Sequence, residues 1–185
     1  MKIALDHAYA ANPHGRRKIQ LAELLGLLGK MTSPRMIFIR GPGKNSKSTL
    51  SDLRHNIYGG THHFISSAVL EVMEEFRKQC PHFAYARALT LQECSVLVKI
   101  LTEVFKKFVA GENLPGRCNY GKVTQMFNWM ATAIFWEINK EPPRIKVLDP
   151  EDPDCLTAFV RRIDLVDLIS TFTGDPEAVD EANRG

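Results

Sequence analysis

The chain of 185 residues contains few cysteines, and none of them is spaced for a metal site or a disulfide framework. The four cysteines, Cys80, Cys94, Cys118 and Cys155, are far apart and form no C-x-x-C pair. Only two of the six histidines are adjacent, and nothing has the spacing of zinc ligands. Reduced thiols in an intracellular compartment are therefore expected.

Long apolar segments and a strong charge imbalance are also missing. No stretch approaches the roughly 20 apolar residues of a membrane-spanning helix, and the N-terminus lacks the continuous apolar segment of a signal peptide. We therefore expect no membrane partner. The net charge of +3 permits a nucleic-acid partner without arguing for one. A content of 44% hydrophobic and 24% charged residues is that of an ordinary globular domain.

The spacing of apolar residues predicts helices that alternate with strands. Helices are predicted over 17–30, 48–58, 68–79, 95–109 and 154–160, with Pro81 ending the third; the fourth is strongly amphipathic. Strands are predicted over 36–39, 62–66, 85–91 and 161–165, and two further apolar runs read VTQMF and MATAIFWEI. This alternation predicts an α/β fold, a parallel sheet flanked by helices.

Three parts of the chain are distinguished. We predict an N-terminal helical segment over 1–35, a core domain over 36–170, and an acidic, flexible tail over 171–185. Ligands of such sheets collect at the carboxyl ends of the strands. Gly41, Glu93 and Asn139 each lie just past a predicted strand.

Residues 41–50, GPGKNSKSTL, have the spacing of a phosphate-binding loop, G-x-x-x-x-G-K-[ST], with Ser46 where the second glycine belongs. Backbone N–H groups of such a loop and the following helix N-terminus bind phosphate. Lys47 is the candidate phosphate lysine and Ser48 the candidate Mg²⁺ ligand, with Thr49 near the α-phosphate. The alternative is a basic surface turn. The candidate nucleotide-binding residues are Gly41, Pro42, Gly43, Lys44, Asn45, Ser46, Lys47, Ser48 and Thr49.

A nucleoside triphosphatase also needs a carboxylate that holds Mg²⁺ or activates water. Glu93 closes the strand-like run ALTLQE and is the candidate for this Walker-B-like role. The alternative is an exposed glutamate that caps the next helix.

The order of five motifs resembles that of the superfamily-three helicases, the AAA+ ATPases of DNA viruses, phages and plasmids. The likeness, over about residues 36–168, is to the helicase half of poxvirus- and phage-type primase-helicases. GPGKNSKSTL is similar to their Walker A loop and ALTLQE to their Walker B strand. FKKFVAGENLPGRCNYGKV is similar to their basic motif and hairpin. IFWEINKEPPRI is similar to their third motif, and VRRIDLVDL to the paired arginine before their last strand.

This resemblance implies a P-loop AAA+-like parallel sheet flanked by helices. It also implies Mg²⁺-dependent ATP hydrolysis by a ring, hexameric in form, that moves single-stranded nucleic acid, DNA in preference, during genome replication. It implies the cytoplasm or nucleus of a host cell. Asn139 is then the sensor that orients the attacking water, and Arg161 or Arg162 the arginine that acts across a subunit boundary. The candidate nucleic-acid contacts are Lys106, Lys107, Arg117, Asn119 and Lys122, with Gly111 in the same motif.

Alternatives remain for the function and for single residues. Ser46, Gln92 beside Glu93, and AGEN in place of Gly-Gly-Asp depart from the family pattern, so a hydrolysis-deficient nucleotide- or DNA-binding module of the same fold stays open. NYGKVTQMF and DCLTAFVRR have a passing likeness to helical Bcl-2-type apoptosis regulators. The arginine pair could be salt-bridged, the lysine pair could form a solvated helix face, and Trp129 and Trp136 are expected in the core.

Overall fold

The computed structural model describes residues 9, 12–29, 35–41, 47–92, 97–117, 124–127, 133–138, 144–147 and 155–168. The helices within these ranges are α1 (Pro13–Leu28), α2 (Lys47–Tyr58), α3 (Ala68–Glu71), α4 (Met73–Phe83), α5 (Thr102–Ala110) and α6 (Cys155–Val160), with a 3-10 turn at Gly59–Thr61. The strands are β1 (Met36–Arg40), β2 (His62–Ser66), β3 (Ala88–Gln92), β4 (Leu97–Ile100), β5 (Leu114–Gly116), β6 (Gln125–Phe127), β7 (Ala133–Ile138), β8 (Arg144–Val147) and β9 (Ile163–Asp167).

Five strands form the central sheet in the order β2-β3-β7-β1-β9, and every neighbouring pair is parallel. Strand β7 lies between β1 and β3, although both precede it in the chain. Parallel neighbours require crossover connections, and the helices cover both faces of the sheet. The predicted α/β fold, a P-loop-type parallel sheet flanked by helices, is confirmed. The Bcl-2-type alternative is wrong, because that fold is all-helical.

Alternate residues of the sheet enter two apolar layers, as the pleat of a strand requires. Met36, Phe38 and Trp136 face the larger layer, which α3 to α6 cover. Phe38 and Trp136 meet edge-on with ring centroids 4.9 Å apart, so the prediction that Trp136 lies in the core is confirmed. On the opposite face Ile37 and Phe135 lie under α1 and α2. Trp129 lies outside the described residues.

Local sequence signals fix both ends of α1. The Asn12 side chain accepts a hydrogen bond from the Gly15 N–H (2.8 Å), and Pro13 occupies the first turn, where its missing N–H has no cost. At the other end Gly29 takes the left-handed conformation (φ 65°) that ends many helices. The helix therefore begins one turn before the predicted start at residue 17.

Gly26 lets α1 approach the sheet closely, and Gly26→Ala is expected to destabilise the fold. A Cβ there would lie 2.3 Å from the Tyr58 hydroxyl and 3.1 Å from Cβ of Ala133. Alanine favours a helix by about 1 kcal/mol, but overpacking costs about 1–3 kcal/mol. Losing the Tyr58 hydrogen bond to the Glu23 carbonyl (2.6 Å) adds about 1 kcal/mol. Urea denaturation should show a net loss, whereas Gly60→Ala, with open space around its Cβ, should be neutral.

The helix predicted over 95–109 is wrong at its amino-terminal end. Leu97–Ile100 is strand β4, which pairs in parallel with Arg144–Val147, and α5 begins only at Thr102. Leucine, valine and isoleucine at these positions suit a strand as well as a helix. The pairing with a segment distant in sequence decides between the two.

The helix predicted over 68–79 is in fact two helices, and Pro81 does not end the second. Val72 is extended (φ −131°, ψ 113°) and separates α3 from α4, which continues through Pro81 to Phe83. A proline in a helix leaves the carbonyl four residues earlier without its N–H partner. Here the Arg117 N–H donates to that carbonyl, of Arg77, at 2.9 Å.

Among the described helices, none is both long and apolar enough to cross a membrane. The predicted boundaries near residues 35 and 170 stay predictions, and the predicted tail over 171–185 lies outside the described residues.

Candidate nucleotide site

The carboxyl ends of β1, β7 and β3 lie side by side at one edge of the sheet. Gly41 follows β1, and its N–H donates to the carbonyl of Ile138 at the end of β7 (3.3 Å). Glu93 and Asn139 follow directly after β3 and β7 in the sequence, but both lie outside the described residues, as do residues 42–46. The strand order therefore brings together the three chain ends that lead into the predicted site.

Helix α2 begins at this edge with Lys47. The Lys47 ammonium donates a 2.6 Å hydrogen bond to the Gly41 carbonyl, so the two ends of the loop are in contact. Burial lowers the pKa of the Lys47 amine, and the Glu137 carboxylate opposes that shift. Ser48 and Thr49 are exposed in the first turn, where backbone N–H groups have no partner within the helix. A helix N-terminus with a lysine beside it suits a phosphate.

One side of α2 carries polar residues that face the sheet. Lys47, Ser51, Arg54 and Tyr58 recur at helical spacing, and the last three are buried. The Ser51 hydroxyl donates to the carboxylate of Glu137 on β7. Local motif spacing does not predict this set, because its members are polar and their partners are distant in sequence. Their helical spacing is the one signal for it in the sequence.

Arg54 is the most buried charged side chain here, with 1% of its surface exposed. Its Nε donates to Glu23 of α1 (2.8 Å), and its Nη1 donates to Thr90 of β3 (3.0 Å) and Ser51 (3.3 Å). The guanidinium carbon lies 3.6 Å from the ring centroid of Phe135. Arg54 thus joins α1, α2, β3 and β7, and we call Arg54, Ser51, Glu137, Thr90 and Glu23 the buried polar cluster.

Glu137 lies on β7 opposite Ile39 of β1, two residues before Asn139. Its Oε1 is 3.9 Å from Nη1 of Arg54 and accepts the Ser51 hydrogen bond. Burial raises the pKa of the Glu137 carboxyl group; the Ser51 hydrogen bond, Arg54 and Lys47 oppose the rise. The carboxylate therefore depends on its neighbours to stay ionised.

Two histidines extend the buried polar cluster towards β2. The His62 ring and the Thr90 hydroxyl are hydrogen-bonded at 2.9 Å, and the His62 and His55 Nδ1 atoms are 3.3 Å apart. Burial, with the Arg54 charge, lowers the pKa of His62 to about 4. His62 is therefore neutral at physiological pH and serves as a hydrogen-bonding residue of the strand.

Arg161 and Arg162 lie at the opposite edge of the sheet from Gly41. The Arg162 carbonyl accepts the Met36 N–H (2.8 Å), which fixes the pair at the amino end of β1. At about 3.3 Å per residue, the five residues of β1 separate the two edges by roughly 16 Å. The structure therefore does not bring these arginines to the phosphate loop of their own chain.

The candidate nucleic-acid residues are only partly described. Lys107 pairs with Glu103 (2.5 Å) and Arg117 with Glu74 (3.2 Å), while Lys106 is partly buried on α5. Gly111 ends α5 in the left-handed conformation (φ 73°). Strands β5 and β6 pair antiparallel. Asn119 and Lys122 belong to the sequence that connects these strands and lie outside the described residues.

Of the two predicted Mg²⁺ ligands, only Ser48 lies within the described residues. These residues contain no group of three or more histidine, cysteine, aspartate or glutamate side chains arranged to hold a metal. Mg²⁺ in phosphate sites needs only one or two protein ligands, because phosphate oxygens and water supply the rest. Ser48 is exposed in the first turn of α2 and Glu93 lies outside the described residues, so both stay predictions as Mg²⁺ ligands.

The sequence matches no protein-family model and no curated protein. Three apo structures of the C-terminal region of NrS-1 share the fold, with TM-scores of 0.62, 0.59 and 0.58 at 16%, 17% and 14% sequence identity. They cover 95%, 90% and 95% of this chain, which spans only 38%, 37% and 38% of theirs. At this identity the similarity shows the fold alone: an α/β protein with a five-stranded parallel sheet flanked by helices.

Proposed function

We propose that this chain is the ATP-hydrolysing core of a helicase-type translocase that acts on single-stranded DNA in the replication of a viral, phage or plasmid genome. One observation carries the proposal. The N-terminus of α2 and the Lys47 amine stand at the end of β1, beside the strand ends that lead to Glu93 and Asn139. If residues 41–49 were only a basic surface turn, nothing would require the loop, the N-terminus of α2 and the ends of β3 and β7 to lie at the same place in the fold.

The residues of this edge divide the chemistry of phosphoryl transfer. The Lys47 ammonium and the N–H groups of the first turn of α2 bind the phosphates of ATP. Ser48 and Glu93 hold Mg²⁺, which neutralises negative charge on the phosphate oxygens when bound. Asn139 orients the attacking water. Each of these roles requires only a side chain or backbone N–H group near the carboxyl ends of the strands.

The placement of the arginine pair supports an oligomer. Arg161 and Arg162 lie at the amino edge of the sheet, roughly 16 Å from the loop of the same chain by the length of β1. In our proposal one of these two arginines therefore acts on the nucleotide of a neighbouring subunit. A closed ring, hexameric in our proposal, supplies such a neighbour at every site.

The test is ATP hydrolysis by the wild-type chain, measured with and without single-stranded DNA and with Mg²⁺ present or chelated. We expect Mg²⁺-dependent turnover that rises with DNA, and DNA affinity that falls steeply with salt. ATP binding in calorimetry without turnover would instead support the hydrolysis-deficient module, to which Ser46 in the loop points. Absence of ATP binding would overturn the proposal.

A further inference from the structure

The buried polar cluster has no part in the phosphate chemistry described above, yet it lies next to the predicted phosphate site, on the same helix and strands. Ser51 and Arg54 are one and two helical turns beyond Lys47, on the same side of α2. Glu137 is two residues before Asn139 on β7, and Thr90 is three before Glu93 on β3. The cluster thus touches each of the three elements that lead to a predicted catalytic residue.

The contacts give the two charged pairs different roles. The positive charge of Arg54 is balanced at close range by Glu23, whose Oε1 lies 2.8 Å from Nε of the arginine. The Oε1 atom of Glu137 is farther away, at 3.9 Å from Nη1. The direct hydrogen bond to Glu137 comes instead from Ser51. Glu137 is therefore bound first to the helix turn that follows Lys47, and only secondarily to the arginine.

We propose that Glu137 is a positioning residue of the nucleotide site: through Ser51 and Arg54 it fixes α2 against β7, and so fixes Lys47 relative to the carboxyl end of β7, which Asn139 follows in the sequence. This inference rests on the proposed function. Nucleotide binding depends mainly on the loop and the helix N-terminus. Hydrolysis also requires that the phosphate lysine and the water-orienting residue are held in the correct positions relative to each other. A loss of the Glu137 contact should therefore affect turnover more than binding.

The surroundings of Glu137 predict how pH acts on this contact. The contacts around Glu137 come from Ser51 and Arg54 of α2, and through Arg54 from Glu23 of α1 and Thr90 of β3. Lys47, Asp52 and Tyr9 act on it electrostatically. Burial raises the pKa of Glu137, so its charge is lost on acidification before that of an ordinary glutamate. Turnover should fall with that charge.

The experiment compares steady-state ATP hydrolysis of the wild type with Ser51→Ala, Glu137→Ala and Glu137→Gln. We expect the two alanine variants to lose at least about tenfold in kcat, equivalent to about 1.4 kcal/mol, with KM changed by less than about threefold. Glu137→Gln keeps an oxygen that accepts from Ser51 and should retain more activity than Glu137→Ala. It should also lack the acid-side fall in kcat of the wild type. Asn56→Ala, exposed on the other side of α2, is the matched control.

Hydrogen exchange of the α2 amides gives a readout that needs no nucleotide. Faster exchange confined to the first turns of α2 in Ser51→Ala and Glu137→Ala is expected. If it occurs while the wild type neither binds nor hydrolyses ATP, the proposed function fails and the positioning contact stands. If the wild type hydrolyses ATP and the variants keep its kcat and its pH profile, the positioning role is overturned. A variant that unfolds is replaced by Glu137→Gln, the isosteric change.

Discussion

Replacing Lys47 with alanine is expected to lower ATP hydrolysis by about 10²–10³-fold, the usual loss when one preorganised electrostatic group is removed. The ammonium stands at the N-terminus of α2, where its 2.6 Å bond to the Gly41 carbonyl holds it over the end of β1. A phosphate would replace that carbonyl as its partner. The methyl group of alanine carries no charge, so the phosphoryl group that is transferred loses its nearest cation.

The fold should survive this change, because Lys47 is only partly buried and burial already lowers the pKa of its amine. Circular dichroism and the thermal midpoint of Lys47→Ala should match the wild type within a few degrees. Lys78→Ala removes another lysine, one in an exposed pair with Glu75, and should leave turnover unchanged. Equal turnover in the wild type and Lys47→Ala would show that residues 41–49 are not the hydrolytic site.

The junction of strand, loop and helix could be predicted from sequence because every signal there is local. The apolar run before Gly41, the loop spacing and the helical pattern after Lys47 lie within two dozen residues. The structure has β1 and α2 where the sequence predicts them. The insertion of β7 between β1 and β3 could not be predicted in this way, since strand order is a non-local property.

The buried polar cluster was missed for a related reason. Ser51 and Glu137 are 86 residues apart, and Arg54 and Glu23 are 31 apart, so no window of sequence contains both partners. An arginine in a helix is most often exposed, and only its counter-charges permit burial. The misassigned strand β4 has the same origin, because its partner β8 follows α5 and β7 in the chain.

The candidate residues came from two sources, local spacing and the resemblance to a helicase family. The loop spacing placed Lys47 at the end of the loop; the structure has it at the N-terminus of α2, hydrogen-bonded to Gly41, and its phosphate role stays a prediction. Glu93 and Asn139 were expected just past two strands, and the ends of β3 and β7 lie together, although both residues lie outside the described residues. For Arg161 and Arg162 the resemblance implied action across a subunit boundary, and their position at the amino ends of the strands is compatible with that role.

Replacing Arg54 with methionine is expected to destabilise the fold by about 3–5 kcal/mol at pH 7, the range for removing one member of a buried ion pair. Methionine keeps much of the side-chain volume over Phe135, so the loss is mainly electrostatic. It leaves the carboxylates of Glu23 and Glu137 without their shared cation and removes the hydrogen bond to Thr90. Urea denaturation measures the loss.

The dependence of this loss on pH identifies its cause. Burial already raises the pKa of Glu137, and loss of the guanidinium should raise it further. A carboxyl group whose pKa is higher in the folded than in the unfolded state favours folding at low pH, and that contribution disappears as pH rises through the folded-state pKa. The deficit of Arg54→Met should therefore be smaller at pH 5 than at pH 7.

Adding Glu137→Gln to Arg54→Met should restore part of the lost stability, because the uncompensated charge is then gone. Arg35→Met, which removes an exposed arginine paired with Asp164, should cost less than about 1 kcal/mol at either pH. A deficit independent of pH would mean that Arg54 acts through packing rather than charge.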